Sequence, residues 1–357
     1  MTDYKTQRLS IARQQRGLSL VELMVAIVVG SLLLLGVMEI FLGSKQTYRT
    51  IDNLSRMQEN SRFSIDLLSH DIRIGGFAGC AGIASVSPNM IASNPPSGPG
   101  LTGGRAVAGY DGTSGAIDID GDGSTGGAND ITVRANTDVL VMSSAGSCSA
   151  QLASDMTSRT ANISVTAAQD CKWKTNELLM ITDCEAMDIF RASDVVSGSP
   201  ISIVHAISDA DSNIVNSDVR LTKAYEKNAV VFSYTDATYF IRDNNGEPTL
   251  YQTVNGQTDP LISGVENMQI RYGIDNNGDN STDIYQTATA IGGPNSNNWA
   301  SVISVEVNLL LRTMGQQGNT LTSEAQTYQY NGATVTATDN RIRRVVSKII
   351  TLRNQTL

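Results

Sequence analysis

A chain of 357 residues, 41% hydrophobic and 17% charged, has the make-up of a folded passenger and not of a disordered one. Its formal net charge of -9 excludes nucleic-acid contact over most of its length. Four cysteines without CxxC spacing, with only two histidines, argue against zinc and for disulfides in an oxidising compartment.

The first residues carry Lys5, Arg8, Arg13 and Arg16 against a single acid, Asp3. From Leu18 to Leu42 the chain reads LSLVELMVAIVVGSLLLLGVMEIFL, charged only at Glu22 and Glu39. A bilayer core about 30 Å thick needs roughly 20 apolar helical residues, so this run can span it. The basic residues before it predict a cytoplasmic N-terminus and a translocated remainder. An ordinary secretory signal is followed by a small-residue cleavage site. None follows Leu42; a glycine instead precedes the apolar run, in QRGLSLVE.

RGLSLVELMVAIVVGSLLLLG resembles the class III signal of type IV prepilins. The resemblance implies cleavage by prepilin peptidase between Gly17 and Leu18 and N-methylation of Leu18, with Glu22 as the fifth mature residue. Leu18 stands where many major pilins have Phe, which suits a minor pilin, and the leader is longer than many. A carboxylate within a bilayer is expensive and needs a partner. Cleavage turns the amide nitrogen of Leu18 into a cationic amine, which Glu22 of a neighbouring subunit can neutralise. Glu39 lies near the outer end of the run, where it can reach the interface.

Downstream, Tyr48, Ile51, Leu54 and Met57 recur every third residue, and Ser61, Ile65, Leu68 and Ile72 every third or fourth. That is a helical stripe. Arg49, Asp52, Arg56, Glu59, Arg62, Asp66 and Arg73 form its solvated face. No proline interrupts residues 18–74, and Gly75-Gly76 supplies a stop. The predicted helix is roughly 85 Å long at 1.5 Å per residue. Its apolar half, 18–42, belongs in a membrane or filament core, and its amphipathic half, 43–76, packs under a sheet.

Residues 85–128 are rich in Gly, Ser, Asn and Pro and read as a long loop. Beyond them come short β-rich runs at 131–134, 139–142, 163–165, 178–182 and 201–204. Val230–Tyr234 and Tyr239–Arg242 read as a hairpin. Val265–Tyr272 alternates, and Ile303–Leu311 alternates most clearly, as a half-buried strand; Val345–Leu352 reads as the last strand. One long N-terminal helix followed by many antiparallel strands is an α+β fold, with residues 77–357 as the exported β-rich domain.

ENSRFSIDLLSHDIRIGGFAGC, GIDNNGDNSTD and RRVVSKIITLRN resemble segments of PilW-type minor pilins, which in turn resemble the GspJ-type pseudopilins of type II secretion. The resemblance implies a type IV pilin-like fold and a low-abundance subunit that helps prime pilus assembly. Its partners would be other minor pilins, the major pilin, prepilin peptidase and the inner-membrane assembly platform. A pseudopilin of type II secretion stays open as an alternative, as does an anchored exported adhesin or enzyme whose leader is never cut.

Two acidic loops offer oxygen ligands for calcium. Asp118, Asp120 and Asp122 with Gly123 match the opening of an EF-hand-like loop, although position twelve is Asn129 and not Glu. Asp275, Asn277, Asp279 and Asp283 form the second cluster, and the same residue types also favour turns. No cofactor is otherwise required. Cys80, Cys148, Cys171 and Cys184 allow three pairings. A strand at 178–182 holds Cys171 and Cys184 apart, which favours Cys148–Cys171 with Cys80–Cys184. No catalytic constellation is evident. His70 reads as a surface residue and His205 as structural, and neither a GxSxG elbow nor a Walker or Rossmann fingerprint is present.

Overall fold

The computed structural model describes residues 19–79, 86, 88–93, 105–117, 130–166, 171–293, 296–314 and 325–355. Gly17, Leu18, Cys80, Asp118, Asp120 and Asp122, all singled out above, lie outside them. The chain divides into two compact units, Met1–Asp52 and Asn53–Leu357.

Helix α1 spans Leu20–Ile74, one residue inside Ser19 and ending at the predicted Gly75-Gly76 stop. In the first unit, every large apolar side chain from Leu20 to Leu42 is exposed. Tyr48 and Ile51 are exposed too, at 74% and 58%. The buried stripe therefore does not begin at Tyr48 as the three-residue recurrence predicts. The helix is the only described element of this unit, and a lone helix has nothing to bury its apolar side chains against.

In the second unit the stripe is Met57, Ser61, Ser64, Ile65, Leu68, Ser69 and Ile72, all buried at helical spacing. Glu59, Arg62, Asp66 and Arg73 line the exposed side as expected. Gly76 takes a left-handed φ of 73°, which ends the helix without Cβ strain. The Asn354 amide donates to the carbonyls of Arg73, Ile74 and Gly75 at 3.3–3.4 Å, so the C-terminal segment caps the helix end.

Seventeen strands follow among the described residues. The first eleven are β1 (Asn89–Met90), β2 (Val107–Ile117), β3 (Ile131–Gln151), β4 (Ile163–Val165), β5 (Leu178–Thr182), β6 (Met187–Arg191), β7 (Asp194–Val196), β8 (Ile201–Val204), β9 (Val230–Asn244), β10 (Glu247–Val254) and β11 (Gln257–Ser263). After β12 (Val265–Ile274) and β13 (Ile284–Gln286) comes a one-turn helix, α2 (Ala288–Ile291). The chain then closes with β14 (Val302–Arg312), β15 (Thr327–Tyr330), β16 (Ala333–Thr336) and β17 (Arg343–Thr351). One sheet runs β1-β6-β5-β9-β10-β11, with β3 joining β9 and β2 joining β3. A second runs β13-β12-β14-β17; β4-β8-β7 and β15-β16 are smaller. The larger ladders are antiparallel; β1 and β6 are parallel. The α+β reading holds.

The helical stripe joins one apolar core with the inner faces of both large sheets. Leu68 and Ile72 meet Leu140, Tyr239 and Ile241 from one, and Met268, Ile270, Val305 and Val307 from the other. Each fully buried Leu or Ile contributes about 1.5–3 kcal/mol. Polar ties add register. The Tyr239 hydroxyl donates to the Asp71 carboxylate of α1, and the Asn60 amide donates to the Ser263 carbonyl at 3.0 Å.

Three sequence expectations change. Val230–Tyr234 and Tyr239–Arg242 are not a hairpin but parts of the single strand β9, paired with β3 through the intervening Thr235–Thr238. That segment has no glycine or proline to turn it. The turn after it is Asn245-Gly246, with φ of 51° and 83°, and Asn255-Gly256 and Asn331-Gly332 repeat the geometry between β10 and β11 and between β15 and β16. The loop expected over 85–128 contains β2. Its Gly109 is what admits it, since a Cβ there would sit 2.0 Å from the Tyr272 hydroxyl. Finally, β14 is not half-buried: Ser304 and Asn308 on its outer face are as covered as much of the core.

Cys148 and Cys171 form the expected disulfide, with an S–S distance of 2.05 Å. Cys184 is disulfide-bonded as well, and its expected partner Cys80 lies outside the described residues.

Candidate functional site

The amino end of α1 is built by two side chains. Ser19 precedes the first helical residue and its hydroxyl accepts from the Val21 N–H at 3.2 Å. Glu22 reaches back, and its Oε2 accepts from the Ser19 N–H at 3.3 Å. This is a capping box, which satisfies two amide groups that a helix start leaves without internal partners. A carboxylate in the first turn also complements the positive end of the helix dipole. The motif was visible as Ser-x-x-Glu directly before an apolar run, yet reading Glu22 only as an intersubunit partner hides Ser19. The cap also places helical structure from Leu20 onward, two residues beyond the Gly17–Leu18 bond.

Behind this cap the helix presents an uninterrupted apolar surface. Leu20, Leu34 and Ile40 are 74%, 71% and 72% exposed. An apolar surface of this extent is stable only against lipid or against other apolar chains. The stretch is long and apolar enough to cross a membrane. Glu39 is exposed at its outer end.

In the second acidic loop the carboxylates are held by the backbone of the loop. Asp275 accepts from the backbone N–H groups of Asn277, Gly278 and Asn280, and Asp283 from that of Asn276. The Asn277 side-chain amide lies between Asp279 and Asp283. These carboxylates close turns through their own backbone, and among the described residues no three His, Cys, Asp or Glu side chains converge as metal ligands. The histidines are where the sequence puts them. His70 is exposed beside Asp71, and His205 is buried, with Nε2 2.9 Å from the Ala161 carbonyl and its ring edge-on to Phe190.

A second polar convergence, which no sequence pattern signals, lies on the outer face of β12 and β14. Asp138, 4% exposed, accepts from the N–H groups of Gly112 and Ile270, both at 2.8 Å. Gln269 and Asn267 reach the Asn136 carbonyl, and the Tyr330 hydroxyl bonds Asn267 and the Asn308 carbonyl. The β15–β16 hairpin thereby overhangs the sheet and leaves a groove of about 300 Å³ with the Arg271–Glu306 ion pair in its lining. Burial pushes the Asp138 carboxyl up from 3.8 to about 6, helped by the Asp111 charge and opposed by its two amide donors. The folded state therefore holds more protons than the unfolded one between those values. The stability this group contributes is present below about pH 4 and is lost as pH rises through 6, by about 3 kcal/mol. Melting the chain and Asp138→Asn across pH 4–7 should show the variant's deficit shrinking as pH rises; a constant deficit would show that the carboxyl does not titrate in this window.

Comparison with known families agrees with the geometry. Residues 238–354, from the middle of β9 to just past β17, match the family described as Type IV Pilus-assembly protein W. Residues 12–38, which include the Ser19–Glu22 cap, match the Prokaryotic N-terminal methylation motif. No curated protein and no solved structure matches the chain. An apolar helix that carries most of the methylation-motif match, followed by a β-rich domain whose later part, residues 238–354, carries the pilus-assembly match, supports a type IV pilin-like protein of PilW type.

Proposed function

We propose that the chain is a minor pilin that helps prime assembly of a type IV pilus. The observation that carries this is the bare apolar surface of α1, most of which lies within the methylation-motif match. The precursor sits in the inner membrane with its basic leader cytoplasmic and its β-rich domain in the periplasm. Prepilin peptidase cuts after Gly17 and methylates Leu18. The helix then leaves lipid for a filament core, where neighbouring apolar helices cover it and the Leu18 amine of one subunit meets Glu22 of another. Exposed Tyr48 and Ile51 supply further surface for that packing. Other minor pilins and the major pilin are the partners, and the role is structural and not catalytic.

Deleting the gene and counting surface filaments tests this. Loss of most pili, restored by the intact chain, is expected. Normal pili with failed export of secreted enzymes would instead place the chain in a type II secretion pseudopilus.

A further inference from the structure

Among the described residues, the last strand leaves one edge of the second large sheet open: β17 pairs there with β14 alone. At its start, the backbone N–H and carbonyl of Arg343 point away from β14 and are met by the Gln326 side chain, at 2.6 and 3.0 Å. Antiparallel alternation sends the backbone groups of Val345, Ser347 and Ile349 the same way. No hydrogen bond reaches them among the described residues.

The side chains along this edge sort by face. Val345 and Ser347 line the groove under the β15–β16 hairpin, and Ile349 continues that face at 57% exposure. Arg344 and Lys348, four residues apart, share the other face, and neither has an ion-pair partner among the described residues. In a chain of net charge -9, two such cations on an open edge are a local inversion of sign.

We propose that β17 is a docking edge for an extended segment of a different polypeptide, which adds as a strand and carries acids at two positions four apart, with apolar residues between them on the opposite face. Main-chain hydrogen bonds would supply the affinity, and alternate side chains the specificity. The acids would meet Arg344 and Lys348, and the apolar residues would lie over Val345 and Ser347 at the mouth of the groove. In the register centred on Val346 a second copy of this chain is disfavoured as the occupant, because antiparallel pairing of two β17 strands there sets Arg344 directly opposite Lys348, and like charges so placed are destabilising. The inference does not depend on the filament reading, since a chain with an uncut leader would carry the same edge.

The test uses the full chain in detergent and a fluorescein-labelled peptide, acetyl-Thr-Glu-Val-Thr-Val-Glu-Thr-amide, against its twin with Lys at both Glu positions. The Glu peptide should bind at least tenfold tighter, and at saturation it should slow amide exchange at Val345, Ser347 and Ile349 at least tenfold. Arg344→Glu combined with Lys348→Glu should reverse the preference between the two peptides. Ser347→Pro removes an outward donor, together with the Ser347 hydroxyl bond to Asn308, and should abolish binding of both peptides, whereas Ser347→Ala, which loses only that bond, should bind as the parent does. Equal affinity for the two peptides, or no protection at β17, would overturn the proposal and leave the cations as guards against edge-to-edge aggregation. Protection of the same amides in concentrated chain without peptide, with a dimer mass, would overturn it in favour of self-association.

Discussion

Glu22→Ala should leave the leader cut at its normal rate and reduce the amount of this chain in sheared filaments at least tenfold. Two contributions are lost together in that variant. One is local: the Ser19 N–H loses its acceptor, and helix capping interactions are worth about 0.5–2 kcal/mol. The other is between subunits. On the proposed pairing, a unit charge pair 4 Å apart is worth about 4 kcal/mol at an effective dielectric near 20, and the Leu18 amine that the proposed cleavage creates would otherwise enter an apolar core without compensation. Glu22→Gln separates them, because a glutamine at this position can still accept from the Ser19 N–H but carries no charge. Incorporation as poor as that of the alanine variant would assign the effect to charge. Near-normal incorporation of the glutamine variant would assign it to the cap and remove the intersubunit pair.

The second large effect is expected far from the helix start. Asp188, on β6, is fully buried. Its carboxylate accepts from the Thr222 N–H at 2.9 Å, the Thr222 hydroxyl at 3.0 Å, and the Asn89 amide and Tyr225 hydroxyl at 2.6 Å each. It thus ties β1 and the segment before β9 to the sheet. Burial, followed by the Asp188 charge, drives the Tyr225 hydroxyl well above its ordinary value, so the phenol stays protonated and donates. Asp188→Ala removes the acceptor from several buried donors at once and should cost about 3–5 kcal/mol. Tyr225→Phe should cost less, because only one donor goes and the carboxylate keeps its others. In a double-mutant cycle the two should be non-additive by about 0.5–3 kcal/mol. Additive losses, or an Asp188→Ala melting temperature equal to the parent's, would show that the cluster does not hold these elements together.

What the sequence disclosed and what it withheld follow from how local each determinant is. The helix, its stop at Gly75-Gly76 and the positions of β12 and β14 are each written in consecutive residues, so periodicity recovers them. The strands at 163–165, 178–182 and 201–204 were legible for the same reason. β2 was not, because what makes its glycine-rich sequence a strand is the close approach of Tyr272 to Gly109 from another sheet. The false hairpin in β9 arose from weighing a polar tetrad above the Asn245-Gly246 signal that follows it. At the site, Glu22 stood out because a charge in an apolar run is costly. Ser19 did not, because serine is unremarkable until its hydroxyl is seen on the Val21 N–H. The Asp138 cluster draws on β3, β12 and the β15–β16 hairpin, and no linear pattern announces such a convergence.

The filament reading turns on one covalent event, so the mass of the amino-terminal peptide from protein isolated from its host is the most direct measurement. A peptide beginning at Leu18 and bearing a single N-methyl group is the expected result. A chain that still begins at Met1, or that starts beyond Leu42, would contradict it and leave only a membrane-targeted domain with an exposed helix.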